Sequence, residues 1–364
     1  MMFGTAKIAL PTPRPSSRRV KLLAQEISKS YGGVDALKPT CLEVFEGELL
    51  TVLGPSGSGK TTLLQLICGI AEPTSGRIVI DGVDQTNLPI HRRNIGVVFQ
   101  NYALFPHLTV LENVSFPLQM RRFPKPELRK RAIAALELVG LGPFGERFPA
   151  ELSGGQQQRV ALGRCFVYEP ALILMDEPLG ALDRKLRESL QIEIKRLHRQ
   201  TGATILFVTH DQEEALALSD RICLMRDANI EQIGTPEALY ERPATLFAAN
   251  FVGISNVLEG AVDGEGRFVT ADGILACVAS SAGRAGRGAL IIRPEHIEIV
   301  PAAAGMLTGV VIERTYAGSE TRQIVTLPSS VTLTVRRRAD EAPIAVGETV
   351  GLRWAPDRAR VLPH

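Results

Sequence analysis

From about Val20 to Asn250 the chain alternates short apolar runs with amphipathic stretches. Leu49 to Leu53, Ala171 to Met175 and Thr204 to Val208 are almost wholly apolar, the pattern of strands buried on both faces of a parallel sheet. Thr62 to Ile67 reads as a helix directly after the first of these strands. Between Phe105 and Pro149 the period lengthens, and Leu128, Ile133, Leu136 and Val139 recur at helical spacing within Glu127 to Val139. This predicts a helical subdomain at about residues 105–165, inserted into a largely parallel α/β domain over residues 21–250. After about Phe251 the helix signals fade: Val331 to Val335 alternates strictly, and Gly309 to Thr315 and Thr321 to Leu327 read as short strands. Residues 251–364 are therefore expected to form a small, mostly β, barrel-like domain, and residues 1–20, with three prolines, Arg14, Arg18 and Arg19, a disordered tail.

Composition narrows the function classes. A net charge of +2 over 364 residues makes no electrostatic case for nucleic acid or an anionic membrane. No apolar run approaches the roughly 20 residues that span a bilayer, and the first ten residues lack the apolar centre of a secretory signal. The five cysteines (Cys41, Cys68, Cys165, Cys223 and Cys277) are scattered and include no CxxC, so most are expected to be buried reduced thiols in a soluble cytosolic protein.

Three segments carry chemistry. Gly54-Pro55-Ser56-Gly57-Ser58-Gly59-Lys60-Thr61 lies between a predicted strand and a predicted helix, the setting a phosphate-binding loop requires. Gly57 and Gly59 let the backbone curl so that N–H groups converge on phosphate oxygens. The helix starting near Thr62 adds about half a positive charge there. Lys60 supplies a full charge to the β- and γ-phosphates, and the Thr61 hydroxyl is placed to ligate Mg²⁺. Asp176 ends an apolar strand, where it is expected to hold Mg²⁺ through water, and Glu177 beside it is the candidate general base. His210 follows the strand at Thr204–Val208; Asp211 reads as the next N-cap, with Glu214 reaching back to it, and the imidazole is placed to sense a γ-phosphate. The third segment, Leu152-Ser153-Gly154-Gly155-Gln156, opens a predicted helix at Gln157–Val167 and forms a second anion cradle.

In this order the three segments resemble the ATP-binding-cassette ATPases, and from about Val20 the chain is similar to the ATPase subunit of a bacterial ABC importer. The resemblance implies a P-loop NTPase fold with ATP and Mg²⁺ as cofactors. It assigns Tyr31 to stacking on adenine, Gln100 to Mg²⁺ and to relaying nucleotide state, and Asp183 to a loop that crosses the dimer interface. Gly180 stands where many relatives carry serine. Because family architecture keeps the Ser153 cradle far from Lys60 within one subunit, the resemblance implies a head-to-tail homodimer with ATP between Lys60 of one copy and Ser153 of the other. Integral membrane permease subunits, contacted through Tyr102 to His107, and a solute-binding protein acting indirectly complete the implied partners. No nucleic acid is implied, and the location is the cytoplasmic face of the inner membrane.

Residues 291–296, 309–313 and 316–321 resemble the oligobinding (TOBE, OB-like) β-domain appended to importer ATPases. The stretches at 91–96, 207–215 and 231–236 look closest to the spermidine/putrescine branch, with sugars, ferric iron or another solute as the alternative. A chromosome-associated ATPase would need long coiled coils between the two half-sites, yet Thr62 and Leu152 lie only about 90 residues apart. A ribosome-associated relative would carry two cassettes, a GTP-binding switch would lack the Leu152–Gln156 segment, and exporters rarely append such a β-domain.

Overall fold

The computed structural model describes residues 18–180, 182–275 and 286–363; most of the expected tail, and Cys277, lie outside the described residues. Contacts divide the chain into two compact units that part between Pro236 and Glu237.

The first unit holds two sheets. A six-stranded sheet runs in the order Asn229–Gly234, Arg221–Arg226, Leu49–Leu53, Ile205–Thr209, Leu172–Asp176, Ile95–Val98. All its pairs are parallel except the Asn229–Gly234 edge. The apolar runs at Leu49, Ala171 and Thr204 thus form strands within a residue of their expected limits, at the centre of the sheet. The second sheet departs from the largely parallel expectation. It is antiparallel, in the order Val34–Phe45, Val20–Tyr31, Ser75–Ile80, Val83–Asp84. Its first two strands fold back at Gly32 and Gly33, with φ of 56° and 86°, a pair of left-handed positions that tight hairpins demand and glycine supplies without strain.

The helix Lys60–Cys68 lies between these sheets. Leu63, Leu64, Leu66 and Ile67 pack against Leu22, Leu42 and Ile80 of one sheet and Leu50 and Leu174 of the other. Its C-terminus is finished by Arg93, which is 3% exposed. The guanidinium donates to the Leu66 and Ile67 carbonyls (2.8 and 2.7 Å) and to those of Leu88 and Thr86 (2.8 and 2.9 Å). A cation there complements the negative end of the helix and gives its last carbonyls a donor, Leu66 sharing its oxygen with the Gly69 N–H. Three helices, Val110–Met120, Lys125–Leu138 and Gly154–Phe166, form the helical subdomain. Leu136 and Val139 are buried, but Ile133 is 39% exposed, so one of the four apolar positions read as its inner face points outward. The third helix starts at Gly154, one turn before the expected Gln157, because Ser153 caps it.

The second unit is two five-stranded antiparallel sheets around Trp354, Phe268 and Leu352. Its buried Arg293 donates to the carbonyls of Tyr240 (2.6 Å) and Ala249 (2.9 Å) and to the Ser255 hydroxyl (2.6 Å), and stacks on the Tyr240 ring at 4.0 Å. These bonds bind residues 240–255 to the β unit, whereas the compositional change falls near Phe251. Cys68, Cys165 and Cys223 are buried free thiols; Cys41 is exposed.

Arg93→Met should lower unfolding stability by about 3 kcal/mol, since it strips several buried carbonyls of their donor. Urea denaturation monitored by far-UV circular dichroism checks this, the expected result being an earlier midpoint.

Candidate active site

The register of the central sheet brings the site together. Leu53 pairs with Thr209 and Asp176 with Val208, so three parallel strands end at nearly one level. Gly54, Glu177 and His210 are the residues that immediately follow these three strands. The carboxyl ends of parallel strands are where open α/β sheets bind ligands.

The Gly54–Thr61 loop begins at the first strand end. A Cβ on Gly54 would lie 2.4 Å from the Met225 carbonyl oxygen, so the backbone passes too close for any side chain. Gly57 and Gly59 have φ of 79° and 97°, left-handed values that favour glycine. Gly59 also runs against the Ala36 carbonyl of the hairpin's second strand. Lys60, 6% exposed, opens the helix and donates to the Gly54 and Pro55 carbonyls, both at 2.8 Å. An ammonium has three donors, so one remains for a further acceptor. Burial pulls its pKa below the usual lysine range, while Glu177 and Asp176 push the other way. Ser58 is buried beneath the loop; Ser56, Gly57 and Thr61 are exposed on it, and Thr62 is half-buried.

Asp176 is raised above the usual carboxylate range by burial and by Glu177, and lowered by Lys60. Glu177 has φ of 44° and donates its N–H to the Val208 carbonyl at 2.9 Å. Its Oε1 lies 3.1 Å from Nδ1 of His210. Gln100 joins them from the end of Ile95–Val98: a Cβ on Gly180 would sit 3.5 Å from Gln100 Nε2 and 3.8 Å from Glu177 Oε2. Asp211 caps its helix, accepting from the N–H groups of Glu213 and Glu214. Glu214 does not reach back as expected. Its carboxylate takes the Thr209 hydroxyl at 2.7 Å, and Thr209 in turn accepts the Asp211 N–H at 3.0 Å.

Lys60, Asp176, Glu177, His210 and Gln100 thus form one cluster. Other expected residues meet different partners. Ser153 caps its helix in a reciprocal box, Ser153 N–H to Gln156 Oε1 at 2.9 Å and Gln156 N–H to Ser153 Oγ at 3.4 Å. A Cβ on Gly155 would strike Leu186 at 2.7 Å, while Gly154 faces open space. Asp183 caps the helix Arg184–Thr201 through the Leu186 N–H at 2.9 Å. Tyr31 is 53% exposed at the hairpin tip, its ring under the Lys29 ammonium.

Two further residues hold these loops and carry no local sequence signal. Arg187 donates to Asp211 Oδ2 at 2.9 Å and to the Leu182 carbonyl at 3.2 Å. Gln158, fully buried, donates to the Pro178 carbonyl at 3.0 Å. Arg187 reaches Asp211, 24 residues on, and Gln158 reaches Pro178, 20 residues on, beyond any periodicity.

No group of three or more His, Cys, Asp or Glu able to hold a metal occurs among the described residues. The donors at the loop, a threonine hydroxyl, an amide and one carboxylate, suit instead a Mg²⁺ that keeps waters and takes phosphate oxygens. No helix among the described residues is long and apolar enough to cross a membrane.

The chain matches the ABC transporter family over residues 37–180 and the TOBE domain over 290–362. It is 43% identical to a spermidine/putrescine import ATP-binding protein, PotA, of Rubrobacter xylanophilus, across 94% of this chain and 93% of that one. It is 47% identical to a ferric-ion import ATP-binding protein, FbpC, of Brucella abortus, across 81% and 84%. A dimeric ATP-binding cassette solved in a post-hydrolysis state with ADP and Pi superposes with a TM-score of 0.52 at 36% identity, covering 59% of this chain and 98% of that one. With the loop, strand-end acids and capped Ser153 helix in place, the chain belongs to the ABC transporter family, as an ATP-hydrolysing subunit with a C-terminal TOBE domain.

Proposed function

We propose that this subunit powers polyamine import, spermidine or putrescine being the transported class. The observation that carries the motor assignment is the cluster of Lys60, Asp176, Glu177 and His210 at aligned strand ends. Support for the solute is the similarity to polyamine-import ATP-binding proteins along nearly the whole chain. Ferric iron is the second reading, supported by the Brucella relative.

In this reading the Gly54–Thr61 loop and Lys60 hold the β- and γ-phosphates, and Tyr31 stacks on the adenine. Thr61, Gln100 and Asp176 would hold Mg²⁺, which would neutralise phosphate charge. Glu177 takes the proton of the attacking water, and His210, 3.1 Å from it, orients the carboxylate and contacts the γ-phosphate. Ser153, Gly154, Gly155, Gln156 and Asp183 act in trans, on the ATP held by the loop of a second copy. ATP then joins two subunits, and its cleavage lets them part.

A groove in the first unit is the proposed seat for the permease. Phe105 and Phe116, ring centroids 4.5 Å apart, line it with Ala103, Met120 and Arg121. Arg164 fixes its floor, donating to the Tyr102 and Ala103 carbonyls, both at 2.6 Å. Those two residues have φ of 58° and 44°, so the segment just after Gln100 is held in a shape it would not adopt alone. In the same reading the subunit works at the cytoplasmic face of the plasma membrane, and a solute-binding protein supplies the permease from the other side.

Glu177→Gln should retain ATP binding and lose at least about a hundredfold in hydrolysis, the usual weight of a general base. It should elute as a dimer with ATP; a monomer under those conditions contradicts the sandwich. Cells lacking the native copy should take up labelled spermidine when given the wild-type gene and not when given Lys60→Ala. Loss of ferric-iron uptake instead would replace the solute and keep the motor.

A further inference from the structure

Gln158 lies in the first turns of the Ser153-capped helix and is 0% exposed. Its Nε2 donates to the Pro178 carbonyl at 3.0 Å, while its Oε1 is buried with no hydrogen-bond partner. A buried amide with one end unsatisfied is a poor device for stability, because the orphan oxygen has lost water and gained nothing. Methionine fills nearly the same volume with no strongly polar atom. Folding therefore does not explain the amide.

The bond falls at a strained place. Glu177 sits at φ 44°, and the next residue is Pro178, whose ring pushes its predecessor toward extended backbone. Such a conformation persists only where the surroundings over-determine it. Here the Val208 carbonyl holds the Glu177 N–H at 2.9 Å, the Gly180 N–H holds the Glu177 carbonyl at 3.2 Å, and Gln158 holds the Pro178 carbonyl. Only the last of these three comes from the helical subdomain. The same helical turn packs Gly155 against Leu186, on the helix that Asp183 caps.

We propose that Gln158 is a positioning residue that couples a subunit's own Ser153–Gln156 cradle to its own Glu177, so that ATP held on the partner's loop sets the general base of the other site. This rests on the two-subunit sandwich. A helix N-terminus moves as a rigid turn, so a shift at the cradle is passed through one hydrogen bond to the peptide that follows Pro178, one residue beyond Glu177. The two ATP sites then fire cooperatively.

The test is the ATP dependence of hydrolysis by the purified full-length protein. Wild type should give a Hill coefficient rising toward two, the number of sites in the sandwich. Gln158→Met should bring it to about one and lower kcat about tenfold, a loss of about 1.4 kcal/mol. Half-saturating ATP should stay within about twofold, and the thermal midpoint within about 3 °C, because the buried Pro178 carbonyl loses a donor while the orphan Gln158 oxygen is removed, which leaves a change of about 1 kcal/mol. In the Glu177→Gln background, Gln158→Met should still dimerise with ATP. Wild-type cooperativity and kcat in Gln158→Met overturn the coupling and leave the sandwich intact. A large drop in thermal midpoint, or loss of ATP-dependent dimerisation in the double variant, also overturns it, by giving the residue a structural or cradle-shaping role. If Glu177→Gln itself never dimerises with ATP, the sandwich fails first.

Discussion

A lysine ammonium seated in an almost closed loop is the constraint on which the rest depends. Lys60 is 6% exposed and bonded to two carbonyls of its own loop. Removing such a charge from water is costly unless opposite charge and acceptors are close. Asp176 and Glu177 supply the charge, and Asp176 in turn is held down against its own burial by Lys60. Each thus offsets part of the other's burial cost. The loop, its helix and the acidic strand end therefore behave as one object.

The sheet supplies the geometry and the surrounding polar residues supply the tension. Parallel register levels the strand ends at Leu53, Asp176 and Thr209, which sets phosphate loop, acids and His210 side by side. The chain then leaves that level in strained steps, at Glu177 and again at Tyr102 and Ala103. In each case a long side chain pins the carbonyls: Gln158 at Pro178, Arg164 at Tyr102 and Ala103. Both side chains come from the helix that Ser153 caps. One element therefore opens on the Ser153 cap, bonds the residue after Glu177 and fixes the floor of the groove.

What the sequence disclosed and what it hid divide along local and non-local physics. The Gly54–Thr61 loop and the Leu172–Asp176 strand were legible because each is a contiguous run whose turn chemistry or periodicity is complete within about ten residues. The antiparallel sheet was missed, although Gly32-Gly33 between two alternating strands is a hairpin signal, because the parallel pattern downstream dominated the reading. Arg93, Gln158, Arg187 and Arg293 were invisible as working residues: each donates to backbone carbonyls that no sequence spacing reveals. Arg93 and Arg293 lie in stretches that resemble the polyamine branch and the oligobinding domain respectively. In the structure they close a helix end and tie residues 240–255 to the β unit.

The central claim is that one ATP is held by the Lys60 loop of one chain and the Ser153 cradle of another. A protein carrying cysteines at Ser56 and Ser153, with Glu177→Gln to prevent turnover and Cys41 and Cys277 replaced by serine, tests it directly. On mild oxidation it should form a covalent dimer on a denaturing gel with ATP and Mg²⁺ and stay a monomer without nucleotide. A covalent dimer that forms equally with and without ATP, or none under either condition, would contradict the account.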